Sequence, residues 1–249
     1  MDSVKNKNIW IIGASSGIGE ALARELAAQG AKITISARSE DKLKAIADSL
    51  GEGHTALPLD ASNPDMLINA ANSFKDLDTV IFLAAIYAPH SKETKDIDFI
   101  HKMLDVNIGG VFNTVNAVQP VFEKQGKGQI ILCGSVAGYR GLPYGQPYCA
   151  TKAAIHNYAE SLKIELEPKN IDVKVISPGF VKTQLTDKNE FPMPMIIETD
   201  EAAKAIAKGI TGNQFEIHFP KKFTYIMKLI KILPTPLFFA LSRKMRKAQ

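Results

Sequence analysis

A chain of 249 residues, 45% hydrophobic and 22% charged, has the material for a soluble globular core and none of the bias of a disordered, collagen-like or disulfide-stapled protein. Its two cysteines, Cys133 and Cys149, make no disulfide framework, and its five histidines (His54, His90, His101, His156 and His218) lack metal-ligand spacing, so no metal is expected. The net charge of +4 hides an imbalance: eight basic and no acidic residues follow Ile217, leaving 22 basic and 26 acidic before it. Residues 9–13 are a short apolar run ending in glycine, which predicts a buried strand. That strand begins too early for a secretory signal, so a reducing, cytoplasmic setting is expected. From Ile18 the apolar spacing lengthens to four, through Leu22 and Leu26 to a stop at Gly30, and predicts a helix. Strands are predicted over 32–36 and 55–59 and helices over 39–50 and 63–74, the second with Asn63 as cap and Pro64 in its first turn. Residues 79–83 predict a central strand, 96–119 a long helix and 129–133 a strand. A helix over 150–167 and strands over 172–177 and 214–217 follow. Strands alternating with helices mean βαβ units, parallel pairing and right-handed crossovers. The expected fold is a doubly wound parallel α/β sheet, three layers deep, in one domain over residues 1–217. A basic extension over 218–249 follows it.

The motif Gly13-Ala14-Ser15-Ser16-Gly17-Ile18-Gly19 sits between the first strand and the first helix. Its glycines let the backbone turn tightly and approach a pyrophosphate, and the helix N-terminus supplies unpaired N–H groups, a Rossmann-like nucleotide site. The second strand ends in Ser36-Ala37-Arg38, with no carboxylate for a ribose. Arg38, helped by Ser15, can pair with a 2′-phosphate, so NADP(H) is the expected cofactor; a solvated surface charge is the other reading of Arg38.

Tyr148 and Lys152 stand four apart, one helical turn, with Ser135 upstream. A phenol of ordinary pKa about 10 needs roughly 4 kcal/mol to reach neutrality. A cation about 4 Å away supplies about that much at an effective dielectric near 20. The spacing alone is common and proves little.

Together these features resemble the short-chain dehydrogenase/reductase family over about residues 7–212. The glycine motif matches. Asp60, beside Ala61, matches the adenine-contacting aspartate. Asn107 in Val106-Asn107-Ile108-Gly109-Gly110 matches the active-site asparagine, and Ser135, Tyr148 and Lys152 match the catalytic set. Pro178-Gly179-Phe180-Val181-Lys182-Thr183 matches the segment that borders the nicotinamide. The resemblance implies that Tyr148 exchanges the proton of a carbonyl–alcohol pair and Lys152 lowers its pKa and holds the nicotinamide ribose. It also implies that Ser135 bonds the substrate oxygen and Asn107 positions a water leading to Lys152. Two departures stand out: Ile12 where the family has threonine, and Phe82-Leu83-Ala84-Ala85 where it has Asn-Asn-Ala-Gly. A concerted exchange of polar for apolar packing between Ile12 and Leu83 is expected, with Ala84 and Ala85 against the cofactor.

Residues 184–212 are expected to cover the substrate as a lid whose methionines and prolines make it apolar and adaptable. Tyr139, Leu142 and Tyr144 are further pocket candidates. In the tail, Phe223, Ile226, Met227, Ile230 and Leu233 keep helical spacing among lysines, and Pro234 and Pro236 interrupt it. Lid, subunit contact and anionic membrane surface are the three readings of this segment. The expected activity is interconversion of an apolar carbonyl compound and its alcohol, by a homodimer or homotetramer, with a small molecule rather than nucleic acid as partner. A non-catalytic NADP sensor or lipid binder on the same fold is the alternative.

Overall fold

The computed structural model describes residues 3–89 and 95–247; His90 lies outside the described residues. Among the described residues, seven parallel strands form one sheet in the order β3-β2-β1-β4-β5-β6-β7: β1 Asn8–Ile12, β2 Lys32–Ser36, β3 Thr55–Ala56, β4 Thr79–Phe82, β5 Gly128–Cys133, β6 Ile171–Pro178 and β7 Glu216–Phe219. β1 pairs on one side with β2 (Ile9 opposite Ile33) and on the other with β4 (Ile9 opposite Thr79). The order of strands therefore reverses at β1, and the crevice beyond the carboxyl ends of β1 and β4 is where such sheets hold ligands.

Alternate residues of each strand face opposite layers, and both layers are apolar. Ile9, Ile11, Ile33, Ile35 and Ile81 pack against α1 (Gly17–Ala28), α2 (Glu40–Leu50) and α7 (Thr199–Thr211). Trp10, Ile12, Val80, Phe82 and Ile130 pack against α3 (Pro64–Ser73), α5 (Gly110–Gln125) and α6 (Tyr148–Leu166). The expected contact between Ile12 and Leu83 is not made: Ile12 belongs to the second cluster and Leu83 packs against the first. The period of two forbids it, because Ile12 is opposite Phe82 and Leu83 is the next residue, on the other face. Only their backbones meet, Leu83 N–H donating to the Ile12 carbonyl at 2.8 Å.

Local signals account for most boundaries. Asn63 Oδ1 accepts from Met66 N–H at 3.2 Å and starts α3, while Gly126, at φ +66°, ends α5. The strand expected over 55–59 is regular for two residues only, although Leu57 and Leu59 still donate to the β2 side at Ile35 and Ala37. The single long helix expected over 96–119 is three pieces: α4 (Ile97–Leu104), a π-helical turn at Asp105–Gly109, and α5, which runs past Pro120 to Gln125. One wider turn leaves the apolar spacing nearly intact, so the sequence pattern does not register it. After β7 come α8 (Lys221–Ile232) and α9 (Thr235–Lys247).

Candidate active site

The turn from β1 into α1 is shaped by three glycines with three separate reasons. Gly13 has φ +93°, and a Cβ there would lie 2.4 Å from the Ala84 nitrogen. A Cβ on Gly19 would lie 2.2 Å from the Gly13 carbonyl oxygen. Gly17, at φ +59°, brings the turn against Thr183 on the far side of the crevice. The N–H groups of Gly13 and Ala14 donate to the Ser36 carbonyl at 2.7 and 3.2 Å, which ties the turn to the end of β2. Ser16 precedes α1 in extended backbone without capping it through its side chain. The first-turn amides are thus aimed at the crevice with no side-chain cap, and the cradle admits no Cβ, which fits a dinucleotide phosphate.

Ser15, Ser16, Gly17, Ile18 and Gly19 line one continuous cleft of about 1200 Å³ together with Arg38, Asp60, Ala61, Ala84 and Ala85. Ser135, Tyr148, Lys152, Pro178, Gly179, Val181 and Thr183 line the same cleft. Arg38 is exposed at its edge. Burial pushes the Asp60 carboxyl up, but hydrogen bonds from the Ser62 N–H and hydroxyl, at 2.9 and 2.7 Å, and the charges of Arg38 and Lys102 hold it below its ordinary range.

Tyr148 opens α6, with the Tyr87 ring edge-on at 4.9 Å. Burial raises its pKa above the ordinary tyrosine value, and a hydrogen bond with Ser135 opposes that rise. The cation expected to depress it is aimed elsewhere. Lys152 Nζ donates to the Cys133 carbonyl at 2.8 Å and lies 5.5 Å from the centre of the Tyr148 ring. The reason is desolvation: burial lowers the Lys152 pKa, and a buried ammonium takes the nearest acceptor, the last carbonyl of β5. Ser135 follows that strand. Its Oγ accepts from Ala137 N–H at 3.1 Å and donates to the Pro178 carbonyl at 3.4 Å.

Two residues of the expected set do not line the cleft. Asn107 does not line the cleft. It is fully buried in the π-turn, where its side-chain amide accepts from Ile86 N–H at 2.8 Å and donates to the Ile86 carbonyl at 3.0 Å. It therefore pins the segment after β4, whose residues 83–87 do line the cleft. Tyr139, expected in the pocket, is buried behind it and donates to the Glu216 carboxylate. Leu142 and Tyr144 do line the cleft.

His156 was legible only as a histidine without metal spacing, yet its Nε2–H donates to the Ser135 carbonyl at 2.9 Å and steadies that residue from below. Its signal was the spacing 148, 152, 156, one turn each on α6. Cys133 and Cys149 are free, buried thiols whose pKa values burial raises. Among the described residues no cluster of three or more His, Cys, Asp or Glu could hold a metal.

The lid is shorter than the expected 184–212. Val181 and Ile197 form a bridge that closes the loop between them, and α7 is a core helix with Ala203, Ile206 and Ile210 buried. Leu185, Phe191, Pro192 and Pro194 of this loop line the cleft, whereas Met195 and Ile196 are exposed. Asn189 accepts from the Tyr87 hydroxyl at 2.7 Å and joins the loop to the segment after β4. α8 completes the cavity with Phe223 and Met227, so the residues after 217 are partly a wall of the site.

The short chain dehydrogenase family profile matches residues 7–192. The chain belongs to that family. As a short-chain dehydrogenase it is an oxidoreductase. It is 32% identical to an uncharacterised oxidoreductase of Myxococcus xanthus, over 99% of this chain and all of that one. A short chain dehydrogenase of Burkholderia cenocepacia solved with NADP has the same fold, with a TM-score of 0.85 at 23% identity over 96% of this chain and 98% of that one. A relative from Burkholderia phymatum solved with NAD superposes with a TM-score of 0.83 at 22% identity, over 92% and 94% of the two chains. Both cofactors thus occur on this fold, and the choice here rests on the chain's own residues.

Proposed function

We propose that this short-chain dehydrogenase is an NADP(H)-dependent oxidoreductase that interconverts an apolar carbonyl compound and its alcohol. The observation that carries the reading is a single cleft lined at one end by the glycine turn and Arg38 and elsewhere by Ser135, Tyr148 and Lys152. Gly13, Gly17 and Gly19 would hold the pyrophosphate and Arg38 a 2′-phosphate, with Ala37 offering no carboxylate to compete. When bound, NADP(H) supplies or takes up the hydride.

Tyr148 holds the proton at its phenol oxygen. Burial favours the neutral phenol, the form that hands a proton to a carbonyl oxygen in the reducing direction. Ser135 hydrogen-bonds the substrate oxygen as charge develops on it. Lys152 keeps a positive end near the phenol and would bind the cofactor ribose through its remaining N–H groups. Leu142, Phe191, Phe223 and Met227 supply apolar walls, which suit a hydrocarbon-bearing substrate. Ile97, Phe112 and Ile164, exposed on α4, α5 and α6, favour assembly into a homodimer or homotetramer.

The test is NADPH oxidation with aromatic ketones, aldehydes and long-chain 3-oxo compounds. Turnover is expected with apolar carbonyl substrates and with NADPH over NADH. Tight NADPH binding without turnover of any class would overturn the catalytic reading and leave a nucleotide sensor.

A further inference from the structure

Helices α8 and α9 have two faces, and the fold uses only one. On α8, Thr224 and Met227 are buried, and Phe223, Met227 and Ile230 pack against Val136, Tyr139 and Leu142. The outer stripe of Tyr225, Ile226, Leu229 and Ile232 is also apolar, with Leu229 61% and Ile232 75% exposed. α9 repeats the division: Phe238 is buried beneath the Arg140 guanidinium, 4.1 Å from the ring centre, while Leu237 and Phe239 are 59% and 53% exposed. A helix with one face in a core is ordinarily polar on the other, and apolar residues on both faces belong to a helix covered on both. Six large exposed apolar side chains on two consecutive helices exceed the single exposures ordinary on a protein surface.

The charges say what covers it. Lys221, Lys222, Lys231, Arg243 and Lys244 are exposed on the same two helices, and no acidic residue follows Glu216. Among the described residues of this segment, Lys228 alone forms an ion pair, with Glu216 at 2.6 Å. We propose that the outer faces of α8 and α9 dock on an anionic lipid bilayer. The apolar stripe enters the headgroup boundary, and the surrounding cations meet lipid phosphates. No described helix is long and apolar enough to cross the bilayer, so the contact is superficial. A second copy of the chain fits less well, because two-fold pairing of this surface sets one group of cations against the other.

Cosedimentation of the full chain with vesicles tests this. The vesicles are phosphatidylcholine alone or with about 30% phosphatidylglycerol, at low and high salt, a composition that sets a negative surface potential. Molar mass by light scattering and NADPH affinity are measured in parallel. Sedimentation with the anionic vesicles at low salt, lost at high salt, is expected. Leu229→Ser with Ile232→Ser should abolish it while mass and NADPH affinity stay unchanged. Lys221→Gln with Lys222→Gln should weaken partitioning about five-fold per charge removed. This second pair alters only exposed charges and decides the matter if the serine pair unfolds. Failure to sediment with anionic vesicles at low salt would overturn the proposal, as would binding indifferent to both pairs. A fall in molar mass on the serine substitutions would overturn it by assigning the face to a second copy.

Discussion

Two parts of the cleft are held in place by different means. The catalytic corner stands on β5 and α6, and its polar groups are individually tied. Lys152 is bonded to the Cys133 carbonyl, Ser135 to Ala137 and Pro178, and His156 holds the Ser135 carbonyl. The α8 wall touches the cleft only through Phe223 and Met227, and its polar fastening lies behind it, where Glu216 gathers Lys228, Tyr139 and Ser177. Proton transfer tolerates errors of a fraction of an ångström, so its groups sit on the most constrained elements. An apolar wall needs shape alone and can be carried by a helix near the end of the chain. Damage to the first region should therefore reach turnover, and damage to the second should reach apparent affinity.

The largest effect is expected at the corner. Tyr148→Phe keeps the ring beside Tyr87 and removes the proton-bearing oxygen. Steady-state kinetics should show kcat lower by about 10²–10⁴-fold with NADPH affinity by fluorescence unchanged. Full activity would remove Tyr148 from the chemistry. Gly13→Ala comes next. Its φ of +93° disfavours any side chain, and the new Cβ would lie 2.4 Å from the backbone nitrogen of Ala84, just after β4. Positive φ and overpacking each cost about 1–3 kcal/mol. Calorimetry should show a lower Tm, with NADPH affinity falling alongside it; an unchanged Tm would mean that the turn is free to move.

What the sequence revealed follows the same division. The glycine turn and the strand alternation are local patterns, and each was readable from neighbouring residues. Tyr148 and Lys152 were readable as a pair because a helix fixes their separation. The acceptor of Lys152 was not, since it is a backbone carbonyl on another element, and its choice depends on burial. Tyr139 lies between two site residues and reads as lining, but its hydroxyl is claimed by Glu216, 77 positions away. The α8 wall has the same origin: its inner stripe looks like any amphipathic helix until its partners at 136–142 are known. The π-turn at Asn107 is hard to see in the periodicity because it lasts a single turn and apolar helix continues on both sides.

The nucleotide end gives an intermediate effect. Ala37→Asp would place a carboxylate beside Arg38, where the second strand ends. It should weaken NADPH binding by about ten-fold or more through repulsion of the 2′-phosphate, and leave NADH equal or better, as titration of the two would show. An unchanged NADPH affinity would take Arg38 out of the ribose-phosphate site and leave it a surface charge. Because this change lies far along the cleft from Tyr148, kcat at saturating cofactor should move little.

The smallest effect is expected behind α8, and it separates the two regions most cleanly. Burial pushes the Glu216 pKa up, but hydrogen bonds from Lys228, Ser177 and Tyr139 and the Lys228 charge outweigh it and bring the carboxyl down to about 2. A folded-state pKa below the ordinary 4.5 means that Glu216 stabilises the fold fully above that pH. The contribution is lost as pH falls from there through about 2, where the folded carboxylate takes up its proton. Glu216→Gln keeps the shape and removes the charge. Its Tm should be a few degrees lower at neutral pH, and the gap to the unsubstituted protein should close as pH falls through that window. In kinetics, KM for an apolar substrate should rise about two- to five-fold with kcat retained, because the helix bearing Phe223 and Met227 loses one of its fastenings while Tyr148 and Ser135 keep theirs. A fall in kcat with KM unchanged would show that the network behind α8 reaches the proton donor, through Tyr139 and the turn at Val136–Gly138, and that the two regions are one.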